Sequence, residues 1–313
     1  VSMNIVITGG SGFVGSYLCE KLINDGHEII VVDNLLTGST ENINHLMHNE
    51  NFSFIEHDVQ NHIEIENKVD YVLHFASAAS PKAYTEHPVN TLKAGSVGTI
   101  NTLGLAKKHD AEYLLASTSE VYGDPLISPQ TEEYWGNVNP NGERSMYDEA
   151  KRFAEAAVAT YSRSYDLKTK IVRIFNTYGP RMQLNDGRVV TNFIVQALKN
   201  ENITIYGDGS QTRSFSYVED TVAGIISLMN SSEYDVFNIG NPNEMTVGQL
   251  AEKIIELTDS TSEIKYLELP NDDPKQRKPD ITKAKTKLNW EPKVNLEDGL
   301  TKTIKWVEGQ LSK

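Results

Sequence analysis

The sequence has a single cysteine and no long apolar run. With only Cys19 among its 313 residues, it has no second thiol for an intramolecular disulfide and no cysteine-based zinc site. Because Cys19 lies in an apolar-patterned stretch, we expect a buried and unreactive thiol. No stretch of about 18 apolar residues predicts a membrane-spanning helix. The chain begins with a strand pattern instead of a signal peptide, so we expect a soluble protein of the cytoplasm, a reducing compartment.

Basic residues are also scarce. Lysine and arginine number 29 against 43 aspartates and glutamates, which gives a formal net charge of −14. An acidic surface repels polyanions, so neither nucleic acid nor an anionic membrane is an expected partner. The 39% content of apolar residues argues against a disordered chain, and the length predicts two domains or lobes.

The first part of the chain alternates apolar strand patterns with amphipathic helix patterns. This alternation predicts an α/β fold, a doubly wound parallel sheet of the Rossmann type that carries helices on both faces. The predicted strands are 4–8, 28–33, 52–56, 71–75, 113–117 and 169–175, and the predicted helices are 13–22, 89–106 and 144–165.

The pattern changes after about residue 178, where Gly, Pro, Asn and Asp become frequent. We therefore expect residues 1–178 to form a dinucleotide-binding domain and residues 179–313 to form a smaller α/β substrate lobe, with some segments crossing back to the main sheet. The charged, proline-broken stretch 271–279 is predicted to be a loop. The remaining predicted elements are strands 203–206 and 236–239 and helices 221–229, 247–258 and 296–311.

A glycine-rich loop joins the first strand to the first helix. It contains Gly9, Gly12 and Gly15, with Phe13 and Val14 between the last two. Glycines there let a pyrophosphate approach the free N–H groups at a helix N-terminus, which predicts a dinucleotide site. The alternative is an ordinary structural turn, but the strand, the helix and an acid on the second strand are all in place.

That acid is Asp33, which ends the second predicted strand. A carboxylate there accepts hydrogen bonds from ribose hydroxyls and repels a 2′-phosphate, so NAD is expected rather than NADP. Its alternative role is a turn or helix cap. Asn34 is a further candidate contact, as are Asp58 and Val59 after the third strand, where Asp58 could meet an adenine amino group or merely shape a turn.

Tyr147 and Lys151 form a Tyr-x-x-x-Lys pair on one face of a predicted helix. A nearby ammonium, together with an oxidised nicotinamide, should lower the phenol pKa and make Tyr147 a base for a hydroxyl proton. Alone, this spacing occurs by chance on many surfaces. At the end of the fifth strand, Thr118 could hydrogen-bond the reacting oxygen, and Glu120 is a candidate proton donor or acceptor, with a solvated loop residue as the alternative.

Seven stretches carry a resemblance to a known family. The sequence resembles the extended short-chain dehydrogenases/reductases of the NAD-dependent epimerase/dehydratase family, and within it the UDP-glucuronate decarboxylases. Dehydratases have Thr-Asp-Glu where this chain reads Thr118-Ser119-Glu120, and epimerases usually have a small residue in place of Glu120. The stretches are 117–125, 134–140, 147–151, 173–182, 185–190, 206–215 and 272–280.

The resemblance implies NAD-dependent decarboxylation of UDP-glucuronate to UDP-xylose. Epimerisation, 4,6-dehydration and a non-catalytic NAD sensor stay open as alternatives. Arginines in glycine- or proline-rich loops suit a diphosphate, although each alone could be a surface charge. The implied substrate contacts are Asn192 and Tyr206 near the uridine and Arg277 near the sugar. Asn176, which could bond a diphosphate or sugar oxygen, and the loop arginines Arg188 and Arg213 complete the set.

Two further expectations come from the resemblance. Family members commonly form homodimers through a four-helix bundle, and the helices that begin near Val89 and Arg144 are the expected faces. Decarboxylases usually have asparagine at the position of Gly95, so one polar contact on the cofactor side is in doubt.

Overall fold

A seven-stranded parallel sheet forms the centre of the computed structural model, which describes residues 1–271 and 273–313. Its strands are β1 (Asn4–Thr8), β2 (Glu28–Asp33), β3 (Phe52–Glu56), β4 (Tyr71–His74), β5 (Glu112–Thr118), β6 (Thr169–Ile174) and β11 (Val236–Ile239). They lie in the spatial order β11-β6-β5-β4-β1-β2-β3, and each neighbouring pair is parallel. The doubly wound fold class is thereby confirmed.

The central strands are apolar because helices cover both faces of the sheet. Ile5, Val6 and Ile7 of β1 are completely buried although their side chains point to alternate faces. Two separate apolar clusters form, one on each face. Cys19 lies in the first of them, so the expectation of a buried cysteine is confirmed, and burial raises the pKa of its thiol, which disfavours the reactive thiolate.

Five α-helices accompany the first six strands. They are α1 (Phe13–Asn24), α2 (Pro81–Glu86), α3 (Pro88–Gly95), α4 (Val97–His109) and α5 (Ser145–Tyr165). The prediction of one helix over 89–106 is wrong, because the chain bends at Ser96 between α3 and α4. Gly95 approaches α5 so closely that a Cβ atom there would stand 2.6 Å from the Cβ of Ala150.

Among the described residues, the rest of the chain adds five α-helices and three two-stranded sheets. Strands β7 (Thr177–Tyr178) and β10 (Ser216–Tyr217) pair in parallel, as do β8 (Ile203–Tyr206) and β13 (Ile264–Leu267), whereas β9 (Thr212–Ser214) and β12 (Glu244–Thr246) are antiparallel. The helices are α6 (Val189–Leu198), α7 (Val218–Met229), α8 (Val247–Thr258), α9 (Thr282–Lys287) and α10 (Leu296–Leu311). Helices α2, α6 and α9 and the short strands β7, β9, β10, β12 and β13 were not predicted.

The predicted loop at 271–279 has no helix or strand in its described part. Asp272, the first residue of one family-like stretch, lies outside the described residues. In the part of the chain that the structure describes, no helix is long and apolar enough to cross a bilayer.

Candidate active site

One cavity of about 750 Å³ opens at the carboxyl ends of the central strands. This is the edge at which open α/β sheets bind ligands. Every candidate site residue from the sequence lies on its wall, namely Gly9, Gly12, Phe13, Val14, Gly15, Asp33, Asn34, Asp58, Val59, Thr118, Glu120, Tyr147, Lys151, Asn176, Arg188, Asn192, Tyr206, Arg213 and Arg277. Among the described residues, which exclude only Asp272, no group of three or more His, Cys, Asp or Glu side chains is placed to hold a metal ion.

The glycine loop fits tightly against the sheet and leaves the start of α1 facing the cavity. Gly9 has a φ of +71°, and a Cβ there would stand 2.7 Å from the backbone nitrogen of Ala76. A Cβ on Gly15 would stand 2.3 Å from the carbonyl oxygen of Gly9. Gly12 precedes the helix without a capping side chain. The free N–H groups of the first turn therefore face a space that suits a pyrophosphate.

Asp33 is held in place at the end of β2. Its Oδ2 accepts hydrogen bonds from the backbone N–H and the hydroxyl of Ser11, at 3.1 and 2.5 Å, and its Oδ1 accepts one from Leu35 at 2.9 Å. Asn34 donates to Asp58 at 3.3 Å, which links the ends of β2 and β3. These fixed acceptors and the glycine cradle fit the ribose and pyrophosphate of a dinucleotide.

Tyr147 and Lys151 lie side by side on α5 but do not hydrogen-bond each other. The Lys151 ammonium donates to the carbonyl oxygen of Ala116 at 2.8 Å and lies 6.0 Å from the centroid of the Tyr147 ring. Burial lowers the pKa of Lys151 to about 8. The Tyr147 ring stacks on Tyr84, a residue that the sequence did not indicate, with centroids 4.7 Å apart.

The sequence predicts a lowered phenol pKa beside Lys151 and an oxidised nicotinamide; without a nicotinamide, the pKa of Tyr147 lies above its usual value. Burial and the negative charge of Glu120 raise the pKa of Tyr147, and they outweigh the hydrogen bond from Thr118 and the charge of Arg188. Desolvation disfavours a buried phenolate more than the distant Lys151 ammonium favours it.

Glu120 is bound between two arginines and is no solvated loop residue. Its Oε2 accepts from Arg144 at 2.5 Å and its Oε1 from Arg277 at 3.2 Å. Arg277 is only 2% exposed and donates also to Ser119 at 2.8 Å and to the carbonyl oxygen of Gly123 at 2.9 Å. Burial raises the pKa of Glu120, but the charges of Arg277 and Arg144 outweigh burial, so the net pKa lies below its usual value.

A further acid connects the arginines. Asp273 lies 3.6 Å from Arg144 and 3.3 Å from Arg213. Neither Arg144 nor Asp273 was predicted as a site residue. Arg144 precedes Tyr147 by three residues, a spacing that puts both on one helix face. This spacing could have identified Arg144 as a site residue from the sequence. Asp273 lies in a loop, so no helix or strand spacing in the sequence relates it to the other site residues.

The remaining predicted residues line the cavity from the C-terminal part of the chain. Arg188 lies 3.2 Å from Asp186 and 6.0 Å from the Phe13 ring centroid. Tyr206 is half exposed at the end of β8. Gly95 does not line the cavity because it faces α5, whereas Asn90, Thr91 and Ala94 of the same helix do line it. An asparagine at position 95 would therefore meet Ala150 in the present packing.

Comparison with known proteins agrees with this geometry. The family model described as GDP-mannose 4,6 dehydratase matches residues 6–303. The chain is 53% identical over 307 residues to UDP-glucuronic acid decarboxylase 1 of Xenopus tropicalis, and the match covers 98% of this chain and 72% of that protein.

Solved structures of similar fold include several epimerases, of which two serve as examples. The UDP-glucose 4-epimerase of Thermotoga maritima with UDP-glucose superposes with a TM-score of 0.91 at 34% identity and covers 99% of this chain and 100% of the other. The UDP-glucuronic acid 4-epimerase of Bacillus cereus with UDP-glucuronic acid and NAD superposes with a TM-score of 0.89 at 26% identity. This match covers 98% of this chain and 100% of the other. The chain therefore belongs to the NAD-dependent epimerase/dehydratase family, which the GDP-mannose 4,6 dehydratase model describes.

Proposed function

We propose that the protein is an enzyme that decarboxylates UDP-glucuronate to UDP-xylose with NAD as its cofactor. The observation that carries this function is the arrangement of Glu120 between Arg144 and Arg277, beside Tyr147, in the cavity that also contains the glycine loop. Relatives over nearly the whole chain are UDP-glucuronic acid decarboxylases. Guanidinium groups are also well suited to bind a sugar that bears a carboxylate.

The glycine loop and Asp33 would hold the dinucleotide, with Asn34, Asp58 and Val59 around the adenine end and Lys151 at the nicotinamide ribose. When bound, NAD supplies reversible oxidation at C4 of the sugar, and it ends the cycle in its starting state. Because Asp33 is held by Ser11 and Leu35, its charge is placed to reject a 2′-phosphate.

Tyr147 takes the proton from the sugar 4-hydroxyl. Since burial keeps the phenol protonated in the protein alone, this step depends on positive charge at the nicotinamide position together with Lys151. The C4 ketone then lies β to the C6 carboxylate, so the bond to CO2 breaks into an enolate. The phenol of Tyr147 and the hydroxyl of Thr118 stabilise the enolate oxygen.

Glu120 then directs a proton to C5, directly or through water. Because its pKa is lowered, Glu120 is an anion in the resting protein and must first receive a proton. Tyr147 finally returns its own proton to O4 as C4 is reduced.

The sugar nucleotide extends from Tyr147 into the C-terminal part of the chain. Asn192 and Tyr206 would contact the uridine, while Asn176, Arg188 and Arg213 would contact the diphosphate, and Arg277 the sugar. This assignment divides the chain into a cofactor-binding domain, 1–178, and a sugar-nucleotide lobe, 179–313, with β11 returning to the main sheet.

The protein acts as a homodimer through a four-helix bundle, to which each copy contributes the helical segment α3–α4 and helix α5. The support is an apolar surface on these helices whose residues are between 37% and 61% exposed: Val89, Leu92, Val97, Ile100 and Phe153. A second copy would bury this surface. The cytoplasmic location stays a prediction from the sequence.

The dimer is tested by a double variant, Leu92→Glu with Phe153→Glu, in size-exclusion chromatography with light scattering. Charges on the apolar surface should give monomers. Leu126→Glu is the control, since Leu126 is 80% exposed in a loop outside these helices. An unchanged mass in the double variant would reject this interface.

A second candidate function is 4-epimerisation of UDP-glucuronate, because the Bacillus cereus structural relative is named as such an enzyme. Incubation with UDP-glucuronate and UDP-glucose, followed by NMR of the product sugar and by CO2 release, separates the two. UDP-xylose with stoichiometric CO2 supports decarboxylation. A six-carbon epimer without CO2 would replace it with epimerisation.

A further inference from the structure

The proposed reaction consumes one proton for each molecule of CO2 released, and the inference below rests on that reaction. UDP-glucuronate, as a carboxylate, and one proton give UDP-xylose and CO2. The C5–C6 bond breaks, its electron pair enters the enolate, and a new C5–H bond forms. The Tyr147 proton leaves O4 and returns to O4, so it cannot be the proton that ends on C5. A separate group must hold and deliver that proton.

Glu120 is poorly suited to hold this proton between turnovers. Both of its carboxylate oxygens accept hydrogen bonds from guanidinium groups, Oε2 from Arg144 and Oε1 from Arg277. These bonds stabilise the anion. Glu120 can transfer a proton to C5 only when another acid supplies it.

Asp148 is the candidate for that supply. It lies on α5 next to Tyr147 and one helical turn after Arg144, so Arg144 and Asp148 share a helix face. Asp148 is 7% exposed, and its Oδ1 is buried with no hydrogen-bond partner in the part of the chain that the structure describes. The Nε of Arg144 is likewise buried without a partner there. A buried carboxylate oxygen without a donor favours the neutral acid.

We propose that Asp148 holds the proton consumed in each cycle and supplies it to Glu120, which passes it to C5. Asp148 does not line the cavity, so it acts through Glu120 and is a positioning and proton-supplying residue without substrate contact. After the transfer, Asp148 takes a new proton from solvent, which replaces the one that was consumed at C5.

The charges around Asp148 agree with this role. Burial and the charge of Glu120 raise the pKa of Asp148, and Arg144 and Arg277 oppose them, which leaves a pKa of about 7. Glu149 adds a smaller increase. Tyr84 on α2 and Tyr147 on α5 also face this carboxyl, and burial raises both of their pKa values, so both are neutral in the protein before NAD binds. A group of this pKa can both give and take a proton near neutral pH.

The test is a single-turnover experiment on Asp148→Asn with NAD and UDP-glucuronate. Absorbance of the reduced nicotinamide rises during C4 oxidation and falls only after C5 has been protonated. We expect the rate of the rise to be unchanged. The fall should slow by about 10-fold or more, which approaches the rate loss that follows removal of a general acid. In the wild type the fall should slow above about pH 7, and Asp148→Asn should lose this pH dependence. Asp148→Glu should restore part of it.

Glu149→Gln is the matched control, because it removes a neighbouring carboxylate that pairs with Arg152 at 3.4 Å. Its two phases should keep the wild-type rates below neutral pH, and the pH above which the fall slows should decrease only slightly, because Glu149 contributes a small part of the raised pKa of Asp148. A normal fall in Asp148→Asn would overturn the proposal, and so would equal slowing of both phases, which indicates a structural role. If the wild type releases no CO2, the proposed function fails instead.

Thermal unfolding across pH gives a second measurement that needs neither substrate nor cofactor. The carboxyl pKa rises from 3.8 to about 7 on folding, so Asp148 costs stability progressively as pH rises through this window. Asp148→Asn should therefore gain melting temperature relative to the wild type between about pH 4 and pH 7. A constant difference across this window would show that Asp148 is already ionised in the folded protein and would overturn the proposal.

Discussion

The phenol of Tyr147 is fixed by its surroundings on both sides. Its ring stacks on Tyr84 at an interplanar angle of 11°, and its hydroxyl hydrogen-bonds Thr118. We predict that Tyr147→Phe abolishes conversion of UDP-glucuronate while NAD binding persists, because phenylalanine keeps the stack and loses only the proton acceptor. Product NMR measures the first effect, and calorimetric titration with NAD measures the second.

Tyr161→Phe is the control for this prediction. Tyr161 lies on the same helix and packs edge-on against Tyr165, away from the cavity. It should retain wild-type turnover. Substantial conversion by Tyr147→Phe would remove the phenol from the proposed mechanism.

At the residue scale, the sequence predicts the positions of groups better than their charge states. Tyr147 and Lys151 are placed together by helical spacing, and Asp33 by its position at a strand end, so local rules suffice. The protonation of Tyr147 depends on burial and on Glu120, which is remote in sequence. The contact of Asp273 with Arg144 likewise exists only after loops from distant parts of the chain meet.

At the scale of elements, the close contact between α3 and α5 depends on Gly95. A Cβ there would stand 2.6 Å from the Cβ of Ala150, and the backbone of Ala150 is only 3.3 Å away. We predict that Gly95→Ala lowers the free energy of unfolding by about 1–3 kcal/mol, the usual effect of overpacking. Denaturant unfolding monitored by circular dichroism measures this change.

Two variants separate packing from helix propensity. Gly104 lies in α4, and a Cβ atom added there would meet no other atom within 4 Å, so Gly104→Ala should stabilise the protein by about 0.5–1 kcal/mol. Ala150→Gly should recover stability when combined with Gly95→Ala. A Gly95→Ala protein as stable as Gly104→Ala would contradict the close contact.

Buried strands are predicted from the sequence more accurately than the helices near the cavity. Strands β1, β2 and β3 have the predicted bounds because their short apolar runs end at turn residues. Helix α6 was missed because its apolar run, Val189–Leu198, lies between two stretches rich in Gly, Asn and Asp that dominated the pattern. The break at Ser96 lies next to the close approach of Gly95 to α5, a tertiary contact that the sequence pattern does not show.

At the scale of the whole molecule, the segment 179–188 connects the substrate-side residues to the cofactor-side helix α1. Arg181 donates to Glu20 at 2.9 Å and to Ser16 at 3.3 Å, and its guanidinium lies 4.1 Å from the Tyr17 ring centroid. The Tyr17 hydroxyl donates to the carbonyl oxygen of Pro180 at 3.1 Å. Arg181 has a φ of +78°, a strained conformation for a residue other than glycine, which these contacts maintain.

We predict that Arg181→Ala weakens this connection without altering the chemistry at Tyr147. Loss of the charged hydrogen bonds and of the ring contact should lower the free energy of unfolding by about 1–3 kcal/mol. The KM for UDP-glucuronate should rise, because the same segment carries Arg188 into the cavity, while kcat should change little. Arg163→Ala, an exposed position on α5, is the control and should match the wild type in both measurements. A fall in kcat with unchanged KM would show instead that Arg181 acts on the reacting groups, since a residue that only joins the two parts of the molecule affects binding before it affects the barrier.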